Sequence, residues 1–423
     1  MCPGFKSLSA HIIKFFSTIK NIKLKLTSFT AKEKRLLFFT SSAHAVSDAG
    51  YVIYPSLLFL IALDFNGNYA FLGIGATLLL LSAGISGTIS GILSDKVNTN
   101  LLFTIFSIIS AIGAIIIFAS NNSYTLLIGL IVFGAGIGIY HTVGLSAITR
   151  NIKNRTEALG IHGMTGLIAI SILPTVTTTV ASWSNWKVPF LFTSMICLSI
   201  LLLIPSIPKE FIRPKHSTNE NPSIKTIFST LTHKNLSGLY IICILREFTW
   251  NGLMTFTASS IAFIGNANIF STNTITNTGY LTSIVFLFAA IGSYGGGRLG
   301  EKFPLEQLLG GLTILLIPVL ILLGTTKGII FILLMPLSHM LLSSGYPLLQ
   351  TLVGQYLPNS MHGKGFAIMN GISGIVGATA GSTIGIIIQY LGFKWAFPIL
   401  SIFPLMVLPI IKFMLFTNKK NTN

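Results

Sequence analysis

The chain is 423 residues long, 52% hydrophobic and only 9% charged, with a mean hydropathy of +0.78. A soluble domain carries about 25% charged residues, so this composition excludes one and makes the lipid bilayer the chain's main partner. The formal charge of +17 would suggest nucleic acid on a soluble domain. Here membrane topology accounts for it, and nucleic acid is not an expected partner.

Residues 1–35 form a basic tail in which Lys6, Lys14, Lys20, Lys23, Lys25, Lys32, Lys34 and Arg35 alternate with Phe and Ile. Three readings stay open: a helix lying on anionic lipid, a solvated tail, or an organellar presequence, although such peptides favour Arg. No apolar stretch in the tail is long enough for a secretory signal. Twelve apolar runs follow, at about 36–63, 69–93, 101–120, 124–149, 158–181, 187–207, 236–263, 278–299, 305–325, 328–354, 363–391 and 394–416. A helix needs about 20 residues to cross the hydrocarbon, and backbone polar groups cannot stay unpaired there. Each run is therefore a transmembrane helix, and the fold class is an all-α membrane protein of twelve spans.

The basic residues sort by side. Of the 27, 23 fall in or at the edge of the two tails and the even-numbered gaps, whereas the odd-numbered gaps hold Lys187, Lys327 and Lys394. Positive loops stay in the cytoplasm, which makes both termini cytoplasmic in a multi-pass cell-membrane protein. Cys2, Cys197 and Cys243 lack metal-ligand spacing and read as packing residues.

Polar groups inside the runs are few, and charge there is expensive: about 2.5–3.5 kcal/mol for Arg, Lys or Asp at a helix centre even on the lenient insertion scale. In the first run His44, Asp48, Tyr51 and Pro55 are spaced to share one helix face. The fourth run carries Tyr140 and His141 after Gly134-x-Gly136, and His339 stands alone in the tenth. Arg246 and Trp250 share one face of the seventh run, and Glu247 and Asn251 another. Tyr346 and Gln350 add hydrogen-bonding capacity in the tenth. Arg246 is expected to hold one acid or an anionic substrate through a bidentate pair, and Asp48 to carry a proton. His44, Tyr51, Tyr140 and His141 complete the expected cavity, although the histidines and tyrosines read equally well as packing groups. His162 and His362 flank basic loops and read as surface or hinge residues. Glycines line the second run (Gly84, Gly87, Gly91) and the eleventh (Gly371, Gly374, Gly377, Gly381, Gly385), at spacings that allow close helix contacts. No Walker pair, catalytic cluster or metal box is visible, so no enzyme, cofactor or metal is expected.

The two halves of the chain echo each other. Gly91-Ile92-Leu93-Ser94-Asp95-Lys96 and Gly297-Arg298-Leu299-Gly300-Glu301-Lys302 both read Gly-x-Leu-x-acid-Lys, 206 positions apart; Tyr140 and Tyr346 keep that offset, and Gly163-x-x-Gly166 and Gly371-x-x-Gly374 are 208 apart. A duplicated six-helix unit follows: 36–207 and 236–416, joined by a polar linker at 208–235 and ending in a tail at 417–423. Such repeats place a substrate site between them near the midplane.

With these features the chain resembles a major facilitator superfamily transporter over about residues 36–416. The superfamily's loop after helix two reads Gly-x-x-x-Asp-[Arg/Lys]-x-Gly-[Arg/Lys]-[Arg/Lys]. Gly91, Asp95 and Lys96 match it, whereas Asn98, Thr99 and Asn100 depart from its second half. The resemblance implies that Gly91, Asp95 and Lys96, with Gly297, Glu301 and Lys302 as their second copy, latch the two bundles together in one state. His44 to Asp48, Ile53-Tyr54-Pro55, Tyr140-His141 after the Gly-x-Gly, and Leu245-Arg246 are similar to the fosmidomycin-resistance-type exporters. That group has Pro-Glu where Thr142-Val143 stand here. An Arg that often marks proton-coupled members is replaced by Leu130, and Pro174 lacks the preceding Gly of many antiporters.

The expected function is secondary active transport of a small organic molecule by alternating access, coupled to protons, with export favoured by the resemblance. The rivals are an uptake symporter for an organic anion and a transport-dead sensor that keeps the fold.

Overall fold

The computed structural model describes residues 29–94, 96–211, 234–265, 273–357 and 362–420. Most of the basic tail, most of the linker at 208–235, and Asp95 lie outside them.

Every element described is helical. In the first half they are α1 Ala31–Asp64, α2 Tyr69–Leu93, α3 Thr99–Phe118, α4 Ser123–Asn151, α5 Arg155–Trp183 and α6 Val188–Leu203, with short 3-10 turns after α6. In the second they are α7 Lys234–Ser260, α8 Thr274–Gly300, α9 Leu305–Thr325, α10 Gly328–Tyr356, α11 His362–Ala378, α12 Ala380–Leu391, α13 Phe393–Leu400 and α14 Ile402–Lys420. The pairs α11/α12 and α13/α14 are single spans interrupted at Thr379 and Ser401. Among the described residues, 11 helices are long and apolar enough to cross a membrane. The twelfth, α7, is comparably long but carries Arg246, Glu247 and Asn251, and its middle is almost wholly buried by its neighbours. Protein, not lipid, surrounds its polar groups, as the expense of bare charge in hydrocarbon requires.

The apolar runs located the spans, and their ends moved for local reasons. α1 begins five residues before the first run because Thr30 and Glu33 form a capping box. The Glu33 amide donates to the Thr30 hydroxyl at 3.2 Å, and the Thr30 amide donates to Glu33 Oε2 at 2.9 Å. The box satisfies two of the otherwise orphaned amides at a helix start. The α1–α2 turn is tight because Asn66 (φ 52°) and Gly67 (φ 68°) take the left-handed conformation, which Asn and Gly tolerate best.

The packing differs between the two ends of the bundle. At the end away from the α6–α7 connection, one apolar core runs through both halves, from Leu58, Leu72 and Phe190 to Phe256, Leu281 and Phe397. At the connection end it splits into two separate cores. One is built on Phe39, Phe103, Phe106 and Tyr140 in the first half, the other on Leu239, Leu309, Leu352 and Val407 in the second. The halves are thus joined at one end and parted at the other.

Three seams make the junction, α2 against α11/α12, α5 against α8, and α1 against α7. In the first, Thr77 Oγ1 donates to the Ala378 carbonyl at 2.8 Å and accepts the Ser382 amide at 2.9 Å, while the Tyr69 amide donates to Gln389 Oε1 at 2.8 Å. Gly73 meets the backbone of Gly381 and Gly385 directly; a Cβ on Gly73 would overlap the Gly381 carbonyl. In the second, Thr175 and Ser283 pair their hydroxyls at 2.8 Å, and Gly279 lies against Thr178 and Pro174. At the parted end Gly163 of α5 and Gly371 and Gly374 of α11 face open space.

Candidate functional site

A cavity of about 450 Å³ occupies the parted side, reaching from mid-bundle towards the connection end. α4 and α5 contribute His141, Leu167 and Ile170; α7 contributes Cys243, Arg246, Glu247 and Trp250; α8, α10 and α11 supply the rest, including Tyr346, Gln350, Asn370 and Ser373. The volume lies within the range of about 300–1,000 Å³ usual for small-molecule sites.

At the edge of this cavity α1 and α4 bring two histidines onto one carboxylate, and α5 stacks a third histidine on the first. His44 and Asp48 stand one turn apart on α1, with His44 Nε2 3.4 Å from Asp48 Oδ2. His141 of α4 reaches the other oxygen, Nε2 to Oδ1, at 3.2 Å. α1 is held in this register by Ser47, whose hydroxyl donates to the Ile137 carbonyl at 2.9 Å, and by Gly50, which admits the Ile137 side chain. α5 closes over the group at Gly166, where any Cβ would collide with Asp48 Oδ2 and His44.

One hydrogen bond assigns one hydrogen of this group. His44 Nδ1 lies 2.8 Å from the His162 carbonyl. A carbonyl can only accept, so Nδ1 carries a hydrogen. In neutral His44 the lone pair of Nε2 would then face an ionised carboxylate oxygen, a repulsive arrangement. One proton between His44 and Asp48, on either partner, makes the contact attractive. His141 Nε2 stands within reach of the second oxygen. His141, about a third exposed, connects this group to the cavity.

His162 is not the surface residue that was one of its two expected readings. It is 3% exposed, its ring stacks on His44 at 3.8 Å between centroids, and its Nε2 is 3.0 Å from the Tyr140 hydroxyl. Tyr140 corrects a second expectation. It is fully buried on the side of α4 away from the cavity, donates its hydroxyl to the Thr40 carbonyl, and packs in the first-half core. Neighbouring residues on a helix point about 100° apart, so His141 reaches the cavity and Tyr140 backs the histidines from behind. Asn251 also turns away from the cavity and packs against Gly377. Tyr51 sits beside His141, with ring centroids 5.5 Å apart, behind the cavity wall. Trp250, Tyr346 and Gln350 line the cavity, and Cys243, read as plain packing, joins them. His339 is a packing residue, held by the Thr257 hydroxyl at 3.1 Å and the Met335 carbonyl at 3.1 Å.

Arg246 is not paired with an acid among the described residues. Its guanidinium lies along α10 in the space left by Gly345, and Nη2 donates to the Leu342 carbonyl. Asp48 is engaged by histidines instead, so the first of the two roles expected of Arg246, holding an acid, is not seen among the described residues, and the second, holding an anionic substrate, stays open. The loop residues stand at the parted end, each on its own half. Gly91 faces Thr142, Gly297 faces Pro347, and Glu301 pairs with Arg298 at 3.5 Å; Lys96 and Lys302 are exposed. In this state the described loop residues make no contact across the halves.

Residues 40–274 and 252–423 match the family model described as Major Facilitator Superfamily. A curated relative, an uncharacterized transporter of Buchnera aphidicola subsp. Schizaphis graminum (strain Sg), is 24% identical over 156 residues, covering 36% of this chain and 40% of that protein. The fold is similar to a bacterial homologue of the human lysosomal transporter Spinster, inward-facing and unoccupied, at TM-score 0.76 and 14% identity over 90% of this chain and 97% of that one. It is also similar to a D-xylose-proton symporter, at TM-score 0.71 and 15% identity over 90% and 99%.

Proposed function

The chain belongs to the Major Facilitator Superfamily, and from that premise we propose that it is a proton-coupled secondary active transporter that exports a small organic molecule from the cell by alternating access. The observation that carries this reading is the pairing of two features. The core is continuous between the halves at one end and divided at the other, and a histidine–carboxylate group stands at the edge of the cavity left between them.

In the proposed arrangement residues 36–207 and 236–416 are the two moving bundles and 208–235 tethers them. The connection end is cytoplasmic, as the positive loops require, so the state described is open to the cytoplasm of the cell. Rocking of one repeat against the other about a fixed central site is the usual motion of such folds. It would part the Gly73 and Gly279 seams and bring Gly91, Asp95 and Lys96 against the second half, with Gly297, Glu301 and Lys302 as the matching set.

The coupling step follows from the shared proton. With it, His44, Asp48 and His141 form a compact group that Gly166 of α5 can approach closely. Without it, Asp48 and the His44 lone pair repel, and α1 and α5 lose that contact. Proton gain and loss therefore bias the α1–α5 packing, and α5 carries one of the seams between the halves.

An uptake symporter for an organic anion is the second reading, and the acid-free Arg246 guanidinium favours it. Purified protein in liposomes with an imposed pH gradient, challenged in turn with cationic, neutral and anionic compounds, tests both. The expected result is proton flux triggered by one compound class and absent in protein-free liposomes. Flux triggered by none would favour a transport-dead sensor.

A further inference from the structure

A basic and an acidic side chain line the cavity, and among the described residues neither forms an ion pair. Arg246 is 7% exposed, and of its five N–H donors one is committed to the Leu342 carbonyl; no carboxylate meets it among the described residues. Glu247, the next residue, lines the same cavity, and among the described residues no ion pair or hydrogen bond holds it. Their side chains leave α7 about 100° apart, which keeps them from pairing with each other while both reach the cavity. Part of the remaining wall is apolar, formed by Leu167, Ile170, Phe286 and the indole of Trp250, beside the polar Tyr346, Gln350, Asn370 and Ser373.

A ligand of one sign would match one of these charges and be repelled by the other. A ligand with both charges meets neither penalty: its carboxylate takes the free edge of the guanidinium, and its ammonium takes Glu247, with the Trp250 face available to it as a cation–π surface. Asp48 does not compete for the ammonium, because it is engaged by His44 and His141. The apolar wall suits a hydrocarbon side chain.

We infer that the substrate class of this cavity is a small zwitterion with an apolar side chain, of the α-amino-acid type, held by Arg246 and Glu247. This rests on the transport reading for its direction of movement, but not for binding.

The experiment is equilibrium binding of radiolabelled L-leucine and L-phenylalanine to the purified full chain in detergent. Competitors are the cationic amides and the anionic N-acetyl derivatives of the same two compounds. The zwitterions are expected to bind saturably, and each single-charge analogue at least tenfold more weakly. Arg246→Gln should narrow the gap between amide and zwitterion, and Glu247→Gln the gap between N-acetyl derivative and zwitterion. The analogue series on the unmodified chain stands even if a variant fails to fold. Absence of saturable binding by both amino acids, or an amide or N-acetyl derivative binding as tightly as its parent, overturns the assignment. Binding as expected, with no movement of the same compounds in liposomes, would leave the substrate class standing and sink the transport reading alone.

Discussion

Asp48→Asn is expected to reduce pH-driven transport to the level of protein-free liposomes while leaving membrane insertion and purification yield unchanged. The two halves of that expectation have different causes. Asn keeps the volume of Asp, and its amide N–H can donate to the lone pair of His44 Nε2, so the hydrogen bonds around His44 and the close fit under Gly166 are preserved without a shared proton. What Asn cannot do is take up and release that proton, so the packing of α1 against α5 stops responding to pH. Exchange of labelled substrate across liposomes at equal pH should persist, because it needs only the motion of the halves. Unchanged pH-driven flux in Asp48→Asn would remove this group from the coupling mechanism.

Gly73→Val is expected to lower transport at least tenfold and to shift the protein away from the state described here. Replacing Gly within a helix usually favours the helix, by roughly 0.5–1 kcal/mol for Ala relative to Gly. A fall in activity without loss of fold would therefore point to the helix contact, not to helix propensity. The physical cause is that Gly73 touches the backbone of Gly381 and Gly385, and backbone cannot swing aside as a side chain can. Valine forces the seam apart and with it the state joined at that end. A tenfold change corresponds to about 1.4 kcal/mol between states. Gly163→Val makes the control: Gly163 faces open space here and meets a neighbour only if that end closes, so it should favour the present state. Equal activity of Gly73→Val and the unmodified chain would mean that the seam does not open during transport.

The spans were legible because they rest on solvent. Water and hydrocarbon sort apolar runs without reference to which helix touches which. The seventh span was legible as a run but carries enough charge to fall below an apolar threshold; burial among other helices compensates, and no local pattern reports that. The site was legible in part. His44 and Asp48 came from a spacing of four, which fixes a shared face whatever the partners are. His141 came with them as a polar residue in an apolar run. His162 was misread because its position after the charged Arg155 and Glu157 resembles a loop border, while its partner, His44, lies 118 positions earlier. Tyr140 and Asn251 were misdirected for a simpler reason. A residue beside a cavity-facing one looks equally eligible until the neighbouring helix is known. The glycine stripes were visible, but which end of each stripe forms the seam depends on the state of the protein, and periodicity carries no such information.

The central claim, that a single cavity between the halves opens to the connection end in this state, is tested most directly by thiol labelling from one side at a time. Asn370 lines the cavity and is exposed. With Cys2, Cys197 and Cys243 replaced by Ser, Asn370→Cys provides a lone thiol in sealed vesicles of known orientation. A membrane-impermeant thiol reagent is expected to label it from the side that carries the 208–235 connection and not from the other, and Gly73→Val should slow that labelling. Labelling only from the opposite side, or at the same rate from both, would contradict the account.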